Sequence, residues 1–179
     1  MQLMKLAAIL MTGTLEALAD GPQRRVIVSI PDRKLVLLEG GKVTRVYPVA
    51  VGKASTPSPE GSFQVISRIP HPTWYTKGKI VGPGPANPLG TRWIGLSEKG
   101  YGIHGTNVPS SIGKSASHGC IRMRKADVEE LFTLLQIGDT VELQKALEPE
   151  IAKLLAEPQS AVIADSGVER LQEKNTLLY

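Results

Sequence analysis

The stretch KLVLLE-GG-KVTRVYPV, residues 34 to 49, constrains the fold of this chain more than any other. Two runs of aliphatic and β-branched residues flank a Gly-Gly pair. A two-residue turn that closes an antiparallel hairpin needs positive φ, which glycine adopts at no steric cost. Pro48 has no amide to donate, so the returning strand, Lys42 to Val51, must lie at a sheet edge or carry a bulge there. A hairpin cannot bury its apolar residues alone, and the sequence supplies further strands. Arg25 to Ile30 is a β-branched run stopped by the turn pair Pro31-Asp32. Ser62 to Ile69, Arg92 to Leu96, Tyr101 to His104 and Thr140 to Leu143 read the same way.

The 18 glycines and 13 prolines favour turns over long helices. Residues 53–61 form a turn-rich loop. Residues 70–90 form a long Pro/Gly region carrying Trp74 and Tyr75, a candidate lid. The clearest helix spans 126–135, with Val128, Leu131, Phe132 and Leu135 on one face. Its early acidic residues, Asp127, Glu129 and Glu130, suit the helix dipole. Lys125 before it is a poor cap. A second helix is expected from Pro149 to Glu157, since proline suits a first turn. The expected fold class is mainly β. It is an antiparallel β-sandwich or partly open barrel with one packed α-helix, and a helical C-terminal extension of unassigned role over 145–179.

Residues 1–19 have the outline of a signal peptide. Lys5 precedes an apolar run from Leu6 to Leu15, and Ala17-Leu18-Ala19 offers a small-x-small cleavage site. Export to the periplasm, cell wall or cell surface is the expectation. The alternative is the amphipathic first helix of a cytosolic protein. No segment reads as a firm transmembrane span. The net charge of +4 is compatible with acidic partners, but no Lys/Arg block or recognition motif points to nucleic acid.

Cys120 is the only cysteine, which excludes an intramolecular disulfide framework. It lies in SASHGCIRM, residues 115 to 123, two positions after His118 and sixteen after His104. A buried structural thiol is one reading. A zinc site built from His104, His118 and Cys120 is a second. A nucleophile is the third. A thiol is mostly protonated at neutral pH, and a nearby histidine can take the proton. Gly119 lets backbone approach a substrate, and the Gly119 and Cys120 amides can face a developing oxyanion. Arg122 can fork onto a carboxylate.

Gly102-Ile103-His104-Gly105-Thr106 followed by Ser117-His118-Gly119-Cys120-Ile121-Arg122-Met123 resembles the L,D-transpeptidase catalytic domain, the YkuD-type family. Thr56-Pro57-Ser58-Pro59-Glu60-Gly61-Ser62-Phe63, Asn87-Pro88-Leu89-Gly90 and Trp93-Ile94-Gly95-Leu96 extend the likeness, which covers residues 25–144. The resemblance implies that Cys120 is the acyl-accepting nucleophile and His104 its general base, oriented by the Gly105 carbonyl. Ser117 and His118 would shape the site, and Arg122 would hold substrate or support the loop. For Ser117 and Thr106 the alternative is plain loop hydrogen bonding. The implied substrates are peptidoglycan stem tetrapeptides, as donor and acceptor, with release of D-Ala and 3→3 cross-links. Acylation by carbapenem-type β-lactams is also implied, and no metal or nucleotide cofactor is. Alternatives are an L,D-carboxypeptidase using water, other amine acceptors such as a free D-amino acid or a protein lysine, and a catalytically idle wall-binding module.

Overall fold

The computed structural model describes residues 24–147 and 149–156. The expected signal peptide and most of the C-terminal extension lie outside them. In chain order the strands are β1 (Arg24–Ser29), β2 (Lys34–Glu39), β3 (Lys42–Pro48), β4 (Val51–Gly52), β5 (Gly61–Pro70), β6 (Trp74–Thr76), β7 (Lys79–Val81), β8 (Arg92–Leu96) and β9 (Gly102–His104). After a 3-10 turn at Pro109–Ser111 come β10 (Ser115–Ser117) and β11 (Ile121–Arg122). Helix α1 (Lys125–Leu134), β12 (Thr140–Gln144) and α2 (Pro149–Ala156) follow.

Eight strands form one curled sheet in the order β11-β9-β8-β5-β12-β1-β2-β3. The β2–β3 hairpin turns through Gly40 and Gly41 at φ 56° and 79°, as the Gly-Gly pair requires. β3 is the sheet edge, and Pro48 pairs with Lys34 at its end, where a missing amide does least harm. β1 and β2 are near-continuous apolar runs because both faces are covered. Val26, Val28, Leu35 and Leu37 join the main core with Val128 and Leu131 of α1 and Leu135 at its C-cap. Ile27, Val36 and Leu38 point the other way, onto Ile151 of α2.

The structure differs from the strand-by-strand reading in four ways. The sheet is mixed: β12 pairs parallel with β1, and β11 parallel with β9. Strand propensity does not encode pairing sense, and both parallel pairs join strands that are not consecutive in the chain. The run expected to extend from Lys42 to Val51 breaks after Pro48, and β4 leaves the main sheet to pair with β10. Helix α1 begins one residue early, so its N-cap is Arg124, which makes no side-chain cap bond. Residues 70–90 are not irregular throughout, because β6 and β7 form a hairpin with Tyr75 opposite Ile80.

The base of that hairpin is tied by one buried amide. Asn87 Nδ2 lies 2.8 Å from Pro72 O, 3.1 Å from Val81 O and 3.0 Å from Gly82 O, while its Oδ1 accepts from Leu89 N at 2.8 Å. One side chain thus fixes both ends of the hairpin to the turn ahead of β8. Asn87→Ala is expected to cost about 2–3 kcal/mol, because it strands buried carbonyls and an amide. Urea unfolding will read the loss. Proteolysis under native conditions is expected to cut within 70–90 before the rest of the domain.

Candidate active site

β11 and β9 run side by side, with Ile121 opposite Ile103 and Arg122 opposite His104. Strand alternation sends Ile103 and Ile121 into the core, both fully buried. Their neighbours take the opposite face. One register step before Ile121, Cys120 therefore comes level with Gly102. On the other side of β9, Trp93 pairs with His104 and Gly95 with Gly102. Two rows result: Trp93–His104–Arg122 and Gly95–Gly102–Cys120. The sixteen residues between His104 and Cys120 are spent looping out and returning, which puts both side chains on one face.

The turn carrying the thiol is stapled by Ser117, which is 1 % exposed. Its Oγ donates to Cys120 O at 2.5 Å and accepts from Gly119 N at 3.0 Å. Its carbonyl accepts from Lys53 N at 3.1 Å and from Thr56 Oγ1 at 3.3 Å. β10 pairs with β4, and Ala50 bridges to Arg122, so the turn is held from both flanks. Gly119 sits at φ 112°, and a Cβ there would lie 2.5 Å from the Tyr101 ring and 3.1 Å from Pro57 O. Of the two amides expected to face an oxyanion, that of Gly119 is taken by Ser117. That of Cys120 has no hydrogen-bond partner among the described residues.

His104 is 5 % exposed. Its Nδ1–H donates to the Gly105 carbonyl at 2.6 Å, which leaves Nε2 as the lone-pair nitrogen. Burial pushes its pKa down to about 4. The Gly105 and Leu89 carbonyls oppose that shift, and the Arg122 charge adds to it. The Cys120 thiol, part-exposed, donates to Gly100 O at 3.5 Å. Burial pushes its pKa up, against the pull of the Gly102 amide and of Arg122. Both shifts favour the neutral forms, so the resting pair is thiol and imidazole. His118 is exposed and makes no hydrogen bond among the described residues. A cavity of about 340 Å³ opens behind Gly105 and Thr106, and Cys120 is not on its wall.

A family model for the L,D-transpeptidase catalytic domain, YkuD, matches residues 23–143. The chain belongs to this family. YqjB of Bacillus subtilis is 45% identical over 121 residues, 65% of this chain and 68% of that protein. YkuD of Bacillus licheniformis is 42% identical over 119 residues, 66% of this chain and 64% of that protein. The chain thus spans about two thirds of the length of these relatives. L,D-transpeptidase 3 from Mycobacterium tuberculosis, solved in complex with a faropenem-derived adduct, superposes with a TM-score of 0.57 at 23% identity. That match covers 69% of this chain and 61% of the other, and shows a shared fold.

For this L,D-transpeptidase domain the structure brings His104, Gly105, Ser117, Gly119, Cys120 and Arg122 together and turns His118 outward. It gives Ser117 a structural role in holding the turn. No group of three or more His, Cys, Asp or Glu side chains among the described residues converges as a metal-binding set. Leu89 and Trp93 lie in stretches that carry the family likeness but were given no site role in the sequence, and Tyr101 was read only as a strand residue; all three touch the site, from β8 and two turns. The local signal for Trp93 is the pair of glycines, Gly95 and Gly102, that make room for an indole.

Two outcomes are expected. Well above pH 6.5, His104 is neutral in both folded and unfolded chains. As pH falls from 6.5 to 4, the unfolded chain takes up this proton first, so stability drops by about 3 kcal/mol. Urea titrations at pH 7 and pH 4 will show this loss, and His104→Gln will remove that component. Alkylation of Cys120 by iodoacetamide will keep accelerating past pH 9, where a preformed thiolate would have levelled off near neutrality.

Proposed function

We propose that this domain is a cysteine-nucleophile L,D-transpeptidase of the cell wall, acting on peptidoglycan stem tetrapeptides. The observation that carries the proposal is the shared face of Cys120 and His104, with His104 Nδ1–H committed to Gly105 O so that Nε2 is the basic nitrogen. The thiol leaves Gly100 O by rotation about its Cα–Cβ bond, and its proton passes to Nε2 as sulfur attacks the carbonyl of the third stem residue. The neutral resting pair makes proton transfer part of the attack rather than a prior step. The Cys120 amide, without another partner among the described residues, faces the oxyanion. Collapse breaks the C–N bond, and the imidazolium protonates the departing D-Ala amine. A thioester remains.

The side-chain amine of a second stem then attacks the thioester. His104 takes one of its protons, the thiolate leaves, and the imidazolium returns that proton to sulfur. The product is a 3→3 cross-link. Arg122 pairs with His104 across the strands and its charge acts on both reacting groups, which supports a role in meeting a substrate carboxylate. Export of the chain follows from this reading, since the substrate lies outside the membrane. The faropenem-derived adduct of the mycobacterial neighbour, and the complex of another with imipenem, support acylation of Cys120 by β-lactams.

The test is incubation with a disaccharide-tetrapeptide, read by mass spectrometry. A dimer lacking one D-Ala, absent with Cys120→Ala, is expected. Tripeptide without dimer would make water the acceptor and the enzyme an L,D-carboxypeptidase. No Cys120-dependent product from folded protein would overturn the proposal. Imipenem is expected to add its mass to the wild-type chain once, and not to Cys120→Ala.

A further inference from the structure

Trp93 stacks on His104, with ring centroids 5.7 Å apart and planes 24° from parallel. The contact is built into the sheet, because the two residues are register partners on β8 and β9. The indole lies down across the second row rather than standing up from it. A Cβ on Gly95 would sit 2.9 Å from its Nε1, and one on Gly102 would sit 2.7 Å from its benzene-ring carbons. These two glycines are themselves register partners. Together they form a slot that only a flat ring fills, and its far end is the face of the His104 imidazole.

His104 therefore stands between an indole on β8 and a guanidinium on β11. The two act oppositely. Arg122 disfavours a second positive charge next to it. An indole π-face attracts a cation whose centre lies within about 6 Å, and tryptophan does so best of the aromatic residues. Among the described residues the charged group acting on His104 is Arg122, with Cys120 on the neighbouring strand, and no carboxylate there acts on the positive charge formed in the reaction. On the reading of Cys120 and His104 given above, we infer that Trp93 is a positioning residue for the general base. It fixes the imidazole plane, and its π-face supports the imidazolium that forms when His104 takes the Cys120 proton.

The sign of one shift tests this. Had Trp93 only shielded His104 from water, its removal would ease charging and raise the histidine's pKa. If the indole supports the imidazolium, removal lowers it. Histidine labelled at Cε1 and followed by NMR through acid titration resolves the three histidines of the chain. Relative to wild type, Trp93→Leu is expected to move the His104 midpoint down by about 0.4 unit or more, and Trp93→Phe by less. Imipenem acylation at pH 7 is expected to slow at least threefold in Trp93→Leu, with partial recovery in Trp93→Phe.

A second measurement uses Trp74→Phe, which leaves Trp93 as the only indole. Its fluorescence is expected to be quenched as His104 charges, and to lose that step in Trp74→Phe/His104→Gln. An unchanged or raised His104 midpoint in folded Trp93→Leu overturns the inference, as does fluorescence indifferent to His104. Neither readout needs a substrate. A wild-type chain that imipenem fails to acylate would count against the proposed function and leave the pairing of Trp93 with His104 standing.

Discussion

The parallel pairing of β11 with β9 is the constraint on which the site depends. It sets Ile121 beside Ile103 in the core, and by alternation it turns Cys120 and Arg122 toward the face that holds His104. A slip of β11 by one residue would turn Cys120 and Arg122 toward the core and Ile121 out of it. Because β11 has only two residues, its own ladder is too short to hold that register. The Ala50 bridge to Arg122, the Met123 amide on the His104 carbonyl and the Ser117 staple hold it instead.

Much of this architecture was legible in the residues. The Gly40-Gly41 turn and β2 stand where the pattern puts them, because φ requirements and alternation are local properties. The α1 face was legible for the same reason, and Val128, Leu131 and Leu135 are buried. What was not legible is non-local. Two parallel pairings, the departure of β4 from the main sheet and the β6–β7 hairpin depend on partners distant in sequence or on a single amide such as Asn87. At the site, the motif residues were legible as a set, but their division of labour was not. Nothing in Ser-His-Gly-Cys says that the Ser117 hydroxyl will occupy the Gly119 amide, or that His118 will face solvent.

The electrostatics of the site follow from burial more than from charge. A nearly dry His104 and a largely covered thiol both resist ionisation, and the single cation nearby cannot satisfy both, since Arg122 favours a thiolate and disfavours an imidazolium. A resting neutral pair is the consequence. Such a thiol is protected from indiscriminate alkylation and oxidation.

The contacts that close the site join residues near 50, 104 and 120, drawn from three separated parts of the chain. The pairing of Cys120 with His104 on one face is therefore not a portable loop. Grafting the SHGC turn onto another scaffold would carry the thiol without His104, its staple partners at Lys53 and Thr56, or the neighbouring strand that aims it. The smallest transplantable unit of this chemistry is nearly the whole sheet.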